Sequence, residues 1–146
     1  MSHDAADPIG INVFSGNDKA TVVTDTGIIS DDILHRLDDS TLLVLEANYD
    51  PHMLRFGPYQ PFLKQRVASD EGHLSNEMAA QALLMMKRPD FMQVILAHRS
   101  ENNNNAVLVT QTIGKMLVDG GVRIGPEMKL QHGQPNEIVS MQSIKR

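Results

Sequence analysis

Two short runs, Thr41-Leu42-Leu43-Val44-Leu45-Glu46 and Phe91-Met92-Gln93-Val94-Ile95-Leu96-Ala97, constrain this chain more than any other feature. Each is apolar almost throughout, too short for a buried helix, and bounded by turn-forming or polar residues. That pattern is the mark of a strand covered on both faces in a layered sheet. Between them, Asn76 to Lys87 is rich in alanine, methionine and leucine, with Ser75 placed as N-cap, Lys87-Arg88 suited to the C-terminus and Pro89 as a stop. Met78, Ala82, Leu83 and Met86 are expected on its inner face. Strands alternating with helices put the chain in the α/β class.

The remaining elements fill in around this frame. Ile9 to Ser15 alternates apolar with small or polar residues, Gly16-Asn17-Asp18 is a hairpin turn, and Lys19 to Thr24 is a β-branched strand, so the chain starts on an antiparallel hairpin. Its second strand carries Asp25 at the C-terminal end and turns on Gly27. Ser30 caps a helix from Asp31 to Leu37 with an acidic first turn. After Glu46, Asn48-Tyr49-Asp50-Pro51 is a turn. Two short helical pieces, His52 to Phe56 and Phe62 to Ala68, flank Gly57-Pro58-Tyr59-Gln60-Pro61 and read as a surface elaboration. The strand from Phe91 ends at His98, and the asparagines from Asn102 to Asn105 prevent its continuation. A helix from Ala106 to Asp119 stops at Gly120-Gly121, and the tail is expected to form two short strands, near Met128 to Gln131 and Ile138 to Ile144. The order is therefore ββα-β-αα-α-β-α-ββ.

Composition limits what such a scaffold can do. A chain of 146 residues is one domain or part of one, and at this size roughly 70% of the unfolded surface can be buried. Hydrophobic residues at 41% and charged residues at 21% fit a soluble globular protein, and no apolar run approaches the ~20 residues of a membrane span. The polar start, Met-Ser-His-Asp-Ala-Ala-Asp-Pro, has no secretory h-region, so the cytoplasm is the expected location. Without cysteine there is no disulfide, and any metal must be held by nitrogen and oxygen. A net charge of -5 argues against a broad nucleic-acid-binding face but leaves a local basic patch open.

In layered α/β proteins ligands gather at the carboxyl ends of strands, where Asp25, Glu46 and His98 fall. A carboxylate with neutral imidazoles suits zinc, manganese or iron. Spacing alone does not decide the matter. No local His-x-x-x-His motif exists, and at such positions Asp25 is more commonly a turn residue and His98 a satisfied, half-buried histidine.

Five blocks bring a family into view: Ser2-His3-Asp4-Ala5-Ala6-Asp7-Pro8-Ile9-Gly10, Thr24-Asp25-Thr26-Gly27, Glu46-Ala47-Asn48-Tyr49-Asp50, Gly72-His73-Leu74-Ser75-Asn76-Glu77 and His98-Arg99-Ser100-Glu101-Asn102-Asn103. In this order they resemble the metallo-β-lactamase-fold hydrolases, in particular the bacterial WalJ (YycJ-type) exonuclease group. The resemblance implies that His3, in a His-x-x-x-x-x-x-Gly strand entry, is a metal ligand, and that Asp25 is the metal-bridging carboxylate. It makes His98 a further ligand, and the polar leader a catalytic loop. The implied chemistry is hydrolysis of a phosphodiester, DNA among them, by a water activated between two zinc or manganese ions. His73, ahead of a helix N-terminus, is then a phosphate ligand or general acid, Ser100 and Asn103 line the substrate groove, and Glu46 and Asn48 are structural.

One departure stands out. The family's hallmark His-x-His-x-Asp-His motif, which supplies most ligands of both metals, occurs nowhere in this chain. The expectation is therefore a single partial domain over residues 1–146, the C-terminal half of an αββα sandwich, inactive on its own. It would need the missing N-terminal half or a homo-oligomer as partner, and no membrane. Two other readings remain: a non-catalytic interaction module, or part of an enzyme acting on a small-molecule ester or cyclic nucleotide. A basic groove formed by Lys64, Arg66, Lys87, Arg88 and Arg99 would favour nucleic acid over these.

Overall fold

The hairpin at the start forms as its turn residues require. In a computed structural model that describes residues 9–134 and 137–139, β1 (Ile11–Ser15) pairs antiparallel with β2 (Asp18–Val23). Gly16 takes the tight turn between them with φ 58°, a left-handed conformation that glycine adopts without a Cβ penalty. Ile9 and Gly10, expected in the first strand, lie before it.

From β2 onward every pairing is parallel. β3 (Leu42–Glu46), β4 (Met92–Ala97) and β5 (Met128–His132) follow in order, giving a five-stranded sheet β1-β2-β3-β4-β5. Helices make the crossovers: α1 (Asp31–Leu37) after β2, then α2 (Pro51–Phe56), α3 (Pro61–Val67) and α4 (Asn76–Met85) between β3 and β4, and α5 (Ala106–Asp119) before β5. α2 and α3 each start one residue earlier than their sequence pattern predicts, because a proline suits the first helical position, where no N–H is needed. α4 ends at Met85, two residues short of Lys87, where Met86 turns extended with ψ 151°. Arg88 still serves that end, donating from Nη1 to the carbonyls of Leu83 at 2.7 Å and Leu84 at 3.0 Å. In the tail β5 forms, Ile138 and Val139 are not in a strand, and the rest of the expected strand to Ile144 lies outside the described residues.

Alternation along the strands divides the sheet. Leu43, Leu45, Val94, Leu96, Met92 and Met128 point to one face and are buried with Ile33 and Leu37 of α1, Ala79 and Leu83 of α4, and Val109, Ile113 and Leu117 of α5. The inner face of α4 is thus built on Ala79, Ala80, Ala82 and Leu83, with Met78 only partly buried. On the opposite face of the hairpin Ile11 is 49%, Val13 58% and Val22 37% exposed. A parallel sheet is ordinarily covered on both sides, so this apolar face is unusual. Among the described residues no helix is long and apolar enough to cross a membrane.

Candidate metal and phosphodiester site

Three neighbouring parallel strands end in line, and this register assembles the site. Val23 pairs with Leu45 and Glu46 with Ala97, so Asp25, Glu46 and His98 leave the sheet side by side at its carboxyl end. His73 comes from the turn before α4. That turn is held by His73 N–H donating to the Val67 carbonyl at 3.0 Å, and by Gly72, where a Cβ would sit 2.3 Å from the carbonyl oxygens of Arg66 and Val67. Gly27 does the same for the Asp25 turn: a Cβ there would lie 2.2 Å from the Ser69 carbonyl oxygen, so only glycine lets the two loops close on each other.

Glu46 is the centre of the arrangement. Its side chain is fully buried, and Oε1 accepts from His73 Nδ1 at 2.7 Å and from His98 Nδ1 at 2.8 Å while Oε2 accepts from Thr26 N–H at 3.1 Å. Burial pushes its pKa up, but the hydrogen bonds from the two histidines, the nearby His73 charge and the Thr26 N–H outweigh this and hold the carboxyl below its ordinary range. The His98 imidazole is correspondingly raised, first by its bond to Glu46 and against its own burial. With Nδ1 of both rings committed to one carboxylate, Nε2 is the nitrogen each can offer elsewhere, the arrangement that fixes a ligating histidine's tautomer.

Asp25 Oδ1 lies 3.6 Å from His98 Nδ1, and the two imidazoles meet edge to face with centroids 5.1 Å apart. One donor atom from each of Asp25, His73 and His98 falls within 4.8 Å of the others. A carboxylate and two imidazoles with no thiolate suit zinc or manganese, and a buried carboxylate bracing both rings is what a metal site needs behind its ligands. The residues present therefore fit a divalent cation. Two cavities flank the histidines. One of about 380 Å³ is lined by Asp25, Tyr59, Leu63, Arg66, His73 and His98. The other, of about 280 Å³, includes Tyr59, His73, His98, Arg99 and Ser100.

The residues expected at the site are not all brought together. Asp25, His73 and His98 converge, and Ser100 lines the second cavity, whereas His3 lies outside the described residues. Asn103 is fully buried and cannot touch a substrate: its carbonyl accepts from Asp50 N–H at 2.9 Å and its N–H donates to Ser100 Oγ at 3.2 Å, so it shapes the loop instead. Glu46, expected to be merely structural, braces both imidazoles. The signal for it was a carboxylate ending a central strand between two strands with ligands at their ends. Asn48 does have the structural role expected of it, its Nδ2 donating to the His98 carbonyl at 2.7 Å. Tyr59 and Leu63 had no role in the expected site. Of the five basic residues whose clustering in a groove would favour nucleic acid, only Arg66 and Arg99 line these cavities. Lys87 instead pairs with Asp39 at 3.0 Å, and Arg88 bonds the end of α4.

A mixed sheet layered with helices, presenting acid and imidazole groups at its carboxyl end, is an α/β fold consistent with part of a metallo-β-lactamase sandwich. Sequence comparison gives the group. Over 144 residues, 99% of the chain, it is 32% identical to the exodeoxyribonuclease YycJ of Bacillus anthracis, and over the same length 31% identical to the exodeoxyribonuclease WalJ of Streptococcus pneumoniae. Along this length the chain is similar to these exodeoxyribonucleases and matches a C-terminal portion of them. It spans about half, 54%, of the length of either relative. No family model and no solved structure matches the chain.

Proposed function

We propose that the chain supplies the Asp25, His73 and His98 side of a metal-dependent phosphodiester hydrolase that degrades DNA strands from an end. The observation that carries this reading is Glu46 holding both imidazoles beside Asp25, within a sequence that follows exodeoxyribonucleases along nearly its whole length. Asp25 and His98 would hold zinc or manganese, with His3 as a further ligand. A bound metal would lower the pKa of a water and offset charge on the phosphoryl group. His73, fixed by Glu46 through Nδ1, would give its Nε2 proton to the leaving oxygen. Ser100, in the wall of the adjoining cavity, would contact the strand.

On this reading residues 1–146 form one partial domain that requires a covering layer. The exposed apolar side chains of Ile11, Val13 and Val22 support that requirement. A segment corresponding to the unmatched part of the relatives, or a second copy of the chain, would bury them.

Isothermal titration of the purified chain with zinc and with manganese, followed by incubation with nicked DNA, tests the proposal. Weak metal binding that is lost in Asp25→Ala, and no hydrolysis by the chain alone, are expected. Failure to bind either metal overturns the metal site. Turnover of nicked DNA that disappears in Asp25→Ala overturns the need for a covering layer.

A further inference from the structure

From Pro51 to Ala68, the stretch containing α2 and α3, there is no aspartate or glutamate. Arg55, Lys64 and Arg66 give it three positive charges in a chain of net charge -5. Aromatic residues concentrate there too. The chain has four phenylalanines and two tyrosines, and Phe56, Tyr59 and Phe62 all fall in this stretch. Tyr59 packs with Tyr49, Leu54, Leu63 and Val67 in a small core of its own. Phe56 and Phe62 do not share in it, and stand 67% and 71% exposed.

The two helices are tied together, since Lys64 Nζ donates to the Arg55 carbonyl at 2.8 Å, and the Arg55 guanidinium lies 5.3 Å from the centre of the Phe56 ring. One exposed ring with a cation beside it, and a second exposed ring on the neighbouring helix, differ from a purely apolar patch, which would suit a protein partner. They match the two needs of an unpaired strand, a π-face for each base and a cation for each phosphate. The stretch also leads to the site, because Tyr59 lines both cavities beside the histidines and Arg66 one of them.

We propose that α2 and α3 form a platform for single-stranded DNA, with bases stacked on Phe56 and Phe62 and phosphates on Arg55 and Arg66, delivering the strand to the Asp25, His73 and His98 cavity. The platform's purpose rests on the nuclease reading above, but its measurement does not.

Fluorescence anisotropy with a labelled oligo-dT in EDTA excludes metal and turnover from the signal. Phe56→Ala and Phe62→Ala should each weaken binding about fivefold or more. Arg55→Ala should lower the slope of log affinity against log salt by about 0.7. A base-free strand of the same length should bind wild type no better than oligo-dT binds the double variant. Circular dichroism checks folding, and Phe→Leu at either position, which keeps apolar bulk but removes the π-face, replaces any alanine variant that does not fold. Equal binding by wild type and the double variant overturns the platform, as does equal binding of the base-free strand, no binding of oligo-dT at low salt, or tighter binding of oligo-U. If the platform fails while zinc still binds through Asp25, the nuclease reading stands. If zinc binding fails while the phenylalanine variants lose DNA, only the metal site falls.

Discussion

Replacing Glu46 with glutamine keeps the side-chain volume and removes one oxygen acceptor and the charge at the point where three donors meet. In the native site Oε1 serves His73 Nδ1 at 2.7 Å and His98 Nδ1 at 2.8 Å, and Oε2 serves Thr26 N–H at 3.1 Å. Glutamine has a single oxygen. Turned toward the histidines, it leaves its NH2 group against the Thr26 N–H; turned toward Thr26, it sets that NH2 group against two Nδ1–H groups. The first arrangement is the cheaper one. It leaves one buried N–H without an acceptor, at about 1–3 kcal/mol, and converts two charge-assisted bonds to neutral ones at about 1 kcal/mol each. His98 is 43% exposed, so its share is discounted for solvent. The expected loss is about 2–4 kcal/mol, which for a chain of this size lowers Tm by roughly 5–12 °C. Metal affinity should fall about 10- to 100-fold, because the rings lose the group that orients them. Calorimetric melting in EDTA and zinc titration well below Tm separate the two effects. A Glu46→Gln protein that melts within a degree of wild type, or binds zinc equally well, would refute the role of Glu46.

Asp25→Asn should leave Tm unchanged or raise it, since asparagine tolerates the positive φ at this position, while zinc affinity drops at least about tenfold; parallel melting and titration read both. His98→Gln should lose zinc, whereas His73→Gln should retain zinc affinity and stay folded, in keeping with a proton-donating role. Equal losses in the two titrations would move His73 into the ligand set. His132, which shares a 2.8 Å hydrogen bond with the Thr110 hydroxyl, has its pKa lowered by burial first and by Arg99 second. Its folded pKa lies below the unfolded one, so the stability linked to it is complete above the unfolded pKa of about 6.5 and declines as pH falls. His132→Gln should therefore lose less Tm between pH 7 and pH 5 than wild type does.

The strands were legible because their cause is local. Continuous apolar runs at 41–46 and 91–97 became β3 and β4 at the centre of the sheet, with Asp25 and His98 just past the ends of their strands as the pattern implied. Caps were equally readable: Ser30 and Ser75 accept from the backbone N–H three residues on. The role of Glu46 was not readable, because it depends on strand order and register, and nothing local says that β3 lies between β2 and β4. The burial of Asn103 was hidden for a similar reason. An asparagine run looks solvated until Asn104 pairs reciprocally with Asn76, at 2.8 and 3.1 Å, and bonds the Ala47 carbonyl.

Backbone strain links the fold to the site. Among the described residues the non-glycine positions with positive φ are Asp25 at 58°, Asp39 at 57° and His98 at 52°, and two of these three are proposed metal ligands. Each left-handed residue costs about 1–2 kcal/mol, a cost that persists only where surrounding contacts over-determine it. Those contacts are present. The His98 carbonyl accepts from Asn48 Nδ2 at 2.7 Å, its imidazole is held by Glu46, and Ser100 N–H donates to the Asn48 carbonyl at 2.8 Å. At Asp25 the next N–H is taken by Glu46, and the glycine two residues on is in contact with the Ser69–Asp70 backbone. A strand continued in β geometry would carry both side chains past the cavity. Breaking into the left-handed region just past the strand turns them across the sheet's end toward each other, so the strain positions the donors, and the buried Glu46 and Asn48 maintain it.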